Sequence, residues 1–433
     1  MAFSAGFQRV DTQAVRPHGA VPGAQHLEKT ECFQVELFSG PVGAWTTFST
    51  GSEGVERASR RVTTGSTSME TSDFKQSGSM AEAWRAIDAS ANRAGEALRV
   101  VEDVVRFILG DLHLTRLAKD LRHDLAAAMA DGLRDRVFLR DVVGDVGTGV
   151  AAAGALGRGS AADVIAANAA RGTQALRSLQ ECVPLVAPQA AGRFEPLRYR
   201  LYGLERAALT ALRSRGRLGG VSLCVLIDGR EDLPAFERLV ESLLEAGVRM
   251  IQIRDKHLDM PRLAARTIRA VALARRRAPD GSVSVVVNDR ADVAAATGAD
   301  GMHGGTDDLP AALARRVIGP DRLLGRTAHD VPEAHAAVLE GADYLGVGPC
   351  FPSTTKHFKN FASQEFLRTV AREISLPVFG IGGITLEQID AIVPLGITRV
   401  AVSSAVVEAA DPARVAAALI ERLEQLRTAA PLA

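Results

Sequence analysis

The run Arg215-Gly216-Arg217-Leu218-Gly219-Gly220-Val221-Ser222-Leu223-Cys224-Val225-Leu226-Ile227 decides the fold, because the chain changes its grammar across it. Downstream, short β-branched runs at 222–227, 249–253, 283–287, 300–302, 323–325, 343–347, 377–380 and 399–402 alternate with helical stretches. Strands separated in this way need right-handed crossovers and a parallel sheet covered on both faces. Eight of them predict an α/β domain closed into a (β/α)8 TIM barrel over 220–428. An open, doubly wound sheet is the alternative, but the first βα turn carries no Gly-x-Gly-x-x-Gly. Chemistry in a barrel sits just after the strand ends, so the polar residues there are the candidates.

Upstream of that run the pattern is helical. Arg93, Ala97, Val100, Val104 and Phe107 line one stripe, and Ala94, Leu98, Val101, Val105 and Ile108 line the next, which predicts a helix buried on that side. Further helical stretches at 112–131, 160–182 and 195–214, with a Gly-rich break at 144–159, make 79–215 an all-α helical domain. Residues 216–220 read as a linker. Residues 1–78 hold no sustained period and are rich in Ser, Thr and Gly, which predicts a disordered N-terminal extension.

The 433 residues carry 51 basic and 51 acidic side chains, so no bulk field draws nucleic acid or an anionic membrane. An anionic ligand must be held by a local site. Six lysines stand against 45 arginines, which singles out each Lys. Cys32, Cys182, Cys224 and Cys350 lie far apart without a Cys-x-x-Cys pair, which argues against a disulfide framework or a zinc site and for a reducing compartment. No apolar run reaches the length of a membrane span, and the first residues lack the marks of a secretory signal. The expected setting is the cytoplasm, with no membrane partner; a homo-oligomer stays open.

The polar residues fall where a barrel wants them. Gln252, Arg254 and Lys256 follow strand 2 on alternate positions, and three converging donors, two of them cationic, describe an anion site. The competing reading makes Arg254 and Asp255 surface charges that begin a helix. Strand 3 ends in Asn288-Asp289-Arg290, and strand 4 runs into His303-Gly304-Gly305-Thr306-Asp307-Asp308. Carboxylates on adjacent strand ends can share one hard cation; singly, Asp289 also suits a turn and Asp308 a helix N-cap. Strand 6 leads to Ser353-Thr354-Thr355-Lys356, strand 7 to Gly380-Ile381-Gly382-Gly383, and strand 8 to Ser403-Ser404. Glycine and serine loops after strands 7 and 8 are where barrels hold phosphate through backbone N–H groups. Two anion sites on one face imply two phosphorylated small-molecule substrates.

In this order, Gln252-x-Arg254-x-Lys256, Asn288-Asp289-Arg290, Gly301-Met302-His303, Gly341-Ala342-Asp343-Tyr344 with Gly346-x-Gly348-Pro349, Thr355-Lys356 and Gly380-Ile381-Gly382-Gly383-Ile384 resemble the thiamine-phosphate synthase family. The resemblance covers about 220–425. It implies a transferase that joins a hydroxymethylpyrimidine diphosphate to a thiazole phosphate, with Mg²⁺ as cofactor, giving thiamine phosphate and diphosphate. It would put the pyrimidine diphosphate on Gln252, Arg254, Lys256, Asn288 and Lys356, with Ile253, Asp255, Thr327 and Thr354 completing the substrate-binding set. Asp289 and Asp308 would hold Mg²⁺, and Ser353, Thr355, Gly383, Ser403 and Ser404 the thiazole phosphate. Arg254, Lys256 and Lys356 would act in catalysis, since the departing diphosphate concentrates negative charge. Two departures are that Thr306 stands where the family usually has Gln, and Thr327 where it usually has Ser.

The helical domain is similar to one fused ahead of some thiamine-phosphate synthases and suggested to be a hydroxymethylpyrimidine-phosphate kinase. Its polar stripe Asp88, Asn92, Glu96, Arg99, Asp103 and Arg106, with Arg122-His123-Asp124 and 141–148, reads equally as a solvated face stitched by i,i+4 pairs. No Gly-x-x-x-x-Gly-Lys-Ser/Thr occurs, so the kinase assignment finds no support in motif mechanics, and a scaffold role stands beside it. For the barrel, the competing function is a sugar-phosphate isomerase or aldolase. An aldolase needs a Schiff-base Lys on a strand, whereas Lys256 and Lys356 lie in loops.

Overall fold

The computed structural model describes residues 70–130, 132–140, 157–352 and 360–429. Eight strands, β1 (Leu223–Ile227), β2 (Met250–Ile253), β3 (Ser284–Asn288), β4 (Gly301–Gly304), β5 (Leu323–Ala328), β6 (Tyr344–Val347), β7 (Val378–Ile381) and β8 (Val400–Val402), form one sheet. Each pairs in parallel with the next, and β8 closes on β1 through Leu223 opposite Val400, so the barrel expected from the eight runs is complete.

Strand alternation separates two cores. Ile251, Ile253, Val285, Val287, Leu324 and Leu345 point outward into the layer between sheet and helices, while Leu226, Met250, Val286, Leu323, Tyr344, Phe379 and Ala401 fill the interior. The barrel helices start where short polar caps stop the preceding loop: Asp232, Asp259, Asp330 and Ser363 each accept the backbone N–H three residues on.

Ahead of the barrel stand α1 (Glu70–Asp103), α2 (Leu112–Ala130), α3 (Ala161–Val186) and α4 (Phe194–Leu218). The first helix begins at Glu70, inside the stretch expected to be disordered; the rest of that expectation, 1–69, falls outside the described residues. Ala94, Ala97, Leu98, Val101, Val104 and Val105 are buried as the stripe predicts, Arg93 is exposed and Val100 half-buried, and at the end of the stripe Phe107 and Ile108 are 68% and 54% exposed. The cause is a π-helical turn over Val104–Ile108, which breaks the 3.6-residue register and rotates the end of the stripe to solvent. Within the polar stripe, Asp88 is buried and accepts from Arg140 at 2.7 Å, while Asn92, Glu96, Arg99, Asp103 and Arg106 are exposed.

The expected linker is not one. Helix α4 continues through Arg217 and Leu218, and Leu218 is fully buried against the interior cluster of the barrel beside Val221 and Cys224. Only Gly219 and Gly220 turn the chain into β1. The reading of 216–220 from its glycines missed this because Leu218 finds its apolar partners on strands far along the chain. Arg213 and Ser214 bond to Asp343, the residue before β6, so α4 sits at the end where the strands begin. The candidate site lies at the opposite end.

Candidate active site

At the C-terminal rim, alternation along β2 turns Met250 and Gln252 to the interior, Gln252 being buried, with the half-buried Arg254 next in that alternation and the exposed Lys256 in the loop beyond. The side chain of Ile253, expected among the substrate contacts, is 1% exposed in the sheet–helix layer on the other face of the strand, so a contact with substrate there would run through its backbone. Asp255 has a different occupation from the one expected. Its carboxylate accepts from Gly229 N at 2.9 Å, His257 N at 2.7 Å and Leu258 N at 2.8 Å, tying the loop after β2 to the loop after β1. Burial alone would raise its pKa, but those amides outweigh it and hold the carboxyl below its ordinary value.

Asn288 ends β3 on the inward side, and Asp289 follows in a left-handed backbone conformation, φ 62°, with its N–H on the carbonyl of His303 at 2.7 Å. Asp289 and Asp308 thus stand after the adjacent strands β3 and β4, close enough that each perturbs the carboxyl of the other. Burial, then Asp308 itself, pushes Asp289 up to about 6. Burial also acts upward on Asp308, but the neighbouring Asp289 carboxyl and the Gly305 N–H at 2.6 Å hold it below its ordinary value. Two carboxyls on adjacent strand ends beside Arg254 and Lys256 form a hard-oxygen pair suited to a divalent cation. Asp308 rather than the exposed Asp307 takes this place, and the N-cap of the following helix is Pro310. Among the described residues no group of three or more His, Cys, Asp or Glu could hold a metal, so substrate oxygens would complete any coordination here.

His303 lies inside the barrel with Nε2 3.0 Å from the Thr327 hydroxyl. Burial, then the positive charge of Arg326, lowers its pKa to about 4, so the ring is neutral near pH 7. Gly325 is what lets it sit there: a Cβ on residue 325 would lie 2.4 Å from His303 Nδ1 and 2.2 Å from the Tyr344 ring. Arg326 and His329 carried no signal in the sequence reading. Arg326 is buried and donates to the carbonyl of Leu309, bracing the Asp308 loop, and His329 Nδ1 lies 2.7 Å from the carbonyl of Gly348. Arg326 falls on the outward side of β5, where period-two reasoning expects an apolar residue, and its reach to the Leu309 carbonyl could not be read from that pattern.

The loops after β7 and β8 close the other side. Gly382 and Gly383 have φ of +95° and +64°, and a Cβ on Gly383 would come within 2.2 Å of the Pro352 carbonyl, so only glycine fits this approach of two loops. The Ser403 hydroxyl donates to the carbonyl of Leu226 at 3.0 Å and locks β8 to β1. Gly383, Ser403, Ser404, Arg254 and Lys256 line one cleft of about 980 Å³. The calls on Ser353, Thr354, Thr355 and Lys356 lie outside the described residues.

Residues 223–406 match the family described as thiamine monophosphate synthase (TMP-TENI), and 85–207 match the ThiD2 family. The thiamine-phosphate synthase of Rhodopirellula baltica is 40% identical over 333 residues, 74% of this chain and 87% of that protein. That of Gloeobacter violaceus is 38% identical over 343 residues, 79% of this chain and 97% of that protein. A solved structure of a thiamine phosphate pyrophosphorylase from Pyrococcus furiosus is 30% identical and covers 49% of this chain and 98% of its own, with a TM-score of 0.41. On the identity shared with full-length relatives across both the helical part and the barrel, this chain belongs to the thiamine-phosphate synthase family.

Proposed function

We propose that the rim joins hydroxymethylpyrimidine diphosphate to thiazole phosphate, with the former between β2 and β4 and the phosphate of the latter over the loops after β7 and β8. This reading is carried by Asp289 and Asp308 standing just after the adjacent strands β3 and β4, next to Arg254 and Lys256 after β2. Mg²⁺ held by Asp289 and Asp308 would supply charge neutralisation for the departing diphosphate. Arg254, Lys256 and Lys356 take up the rest of that charge as the C–O bond breaks. The aminopyrimidine spreads the positive charge left on its methylene carbon, and the thiazole nitrogen attacks there, so no general base is needed. Neutral His303 and Thr327 would present hydrogen-bonding groups to the pyrimidine, while Gln252 and Asn288 orient it. The barrel strands carry no Lys, which disfavours a Schiff-base aldolase. Cys182, Cys224 and Cys350 are unpaired, which supports a reducing cytoplasm.

The test is to mix the full chain with both phosphorylated heterocycles and Mg²⁺ and to assay thiamine phosphate and diphosphate. Turnover of a sugar phosphate in place of condensation would sink the reading. The helical part has its own cleft of about 540 Å³ between α1 and α2, with Arg99, Arg122, Arg134 and Arg136 on its wall, which supports the pyrimidine-phosphate kinase reading for that part. Supplying the pyrimidine monophosphate and ATP in place of the diphosphate tests it; no thiamine phosphate would then leave the helices a scaffold.

A further inference from the structure

We infer that Arg230, on the loop after β1, is a further binding residue for the thiazole phosphate; the inference rests on the reading of the rim given above. Arg230 lines the same cleft as Gly383, Ser403 and Ser404. Strand β1 is the neighbour of β8, and the Ser403 hydroxyl bonds to the carbonyl of Leu226 next to the end of β1, so the two loops rise side by side.

The backbone at Arg230 is the second observation. Its φ is +53°, and among the described residues the only other non-glycine with positive φ is Asp289, two strands further round the same rim. A long side chain does not take this conformation without cost, and such residues persist where the surroundings over-determine them. The surroundings here are explicit. Gly229 N donates to Asp255, Gly229 O accepts from Arg266 Nε at 2.9 Å, and Arg230 N donates to Asp228 Oδ1 at 3.1 Å. Arg266 is itself buried, and a Cβ on Gly229 would lie 2.2 Å from Leu258. The loop after β2 and the helix carrying Arg266, with Asp228 of the loop itself, thus pin the conformation in which Arg230 lines the cleft.

Charge completes the case. The guanidinium is paired only loosely, with Asp228 Oδ1 at 3.4 Å, and that carboxylate is about half exposed. Of the other two carboxylates that line the cleft, Asp255 and Glu408, Asp255 is spent on three backbone amides. Arg230 can therefore turn its remaining N–H groups to a phosphate without abandoning a buried partner.

The test uses the full chain and three variants, Arg230→Gln, Arg230→Gly and Arg230→Lys. Arg230→Gly relieves the backbone as well as removing the charge, so a loss in both Gln and Gly variants comes from the guanidinium and not from a distorted loop. The expected result is a KM for thiazole phosphate raised about tenfold or more in both, partial rescue by Lys, and a KM for the pyrimidine diphosphate within about twofold of wild type. Calorimetric titration of thiazole phosphate into the same proteins should show the same loss. Wild-type affinity in the Gln and Gly variants, or a rise confined to the pyrimidine diphosphate, overturns the assignment while leaving the reaction standing. A wild-type chain that neither binds thiazole phosphate nor condenses it would overturn the reading of the rim and this inference with it.

Discussion

The Ser214 hydroxyl donates to Asp343 Oδ1 at 3.1 Å, joining the last turns of α4 to the foot of β6. Asp343 has no exposed surface and also accepts from Arg213 at 2.8 Å, from Arg315 and from Leu324 N at 2.9 Å. One carboxylate thus anchors the helical part, a barrel helix and two strands.

Asp343→Asn should lower stability by about 2–4 kcal/mol, because it leaves Arg213 and Arg315 without their charged partner at a buried position. Urea unfolding of the full chain checks this, and an unchanged midpoint would refute it. A chain starting at residue 217 loses Arg213 and Ser214 as well, and should be less stable than one that keeps α4.

Asp289→Asn should raise the Mg²⁺ concentration needed for half-maximal rate and lower turnover, with thiazole phosphate affinity nearly intact. Asn tolerates the left-handed backbone at 289, so the fold is retained. Wild-type Mg²⁺ dependence in this variant would remove Asp289 from the metal site.

His113 of α2 stacks on His335 at 3.8 Å between the helical part and the barrel. Burial, then the neighbouring His335, lowers its pKa from 6.5 to about 4. The folded state therefore binds this proton less readily than the unfolded chain. The stability is present above about pH 6.5 and is lost as pH falls from there towards 4. His113→Asn should flatten the acid limb of a stability–pH curve over that window; an unaltered limb would show that other groups set it.

Gly382→Ala should weaken thiazole phosphate binding and cost about 1–3 kcal/mol of stability, since φ is +95° and the new Cβ would lie 2.8 Å from Pro349. Gly281→Ala is the control, with φ +77° and open space around it. It should cost stability without touching binding. Equal effects of the two on binding would show that the packing of the β6 and β7 loops is not what shapes the phosphate site.

The sequence alone was enough for the barrel, because eight β-branched runs alternating with helices leave few ways to bury both faces of a parallel sheet. It was enough, too, for the rim positions of Gln252, Arg254, Asn288 and Asp289, since strand alternation is a local rule. Tertiary structure decided what depends on partners distant in sequence. Leu218 became part of the barrel interior because its apolar contacts come from other strands. Asp255 went to backbone amides of two loops, and Asp308 rather than Asp307 came to stand beside Asp289. Phe107 and Ile108 turned outward at a π-helical turn that a fixed 3.6-residue period cannot foresee. Arg230 came to the cleft through a strained loop, and Arg326 braces the Asp308 loop through its bond to the Leu309 carbonyl. In each case a competition between local pattern and three-dimensional packing was settled by atoms that the linear order keeps far apart.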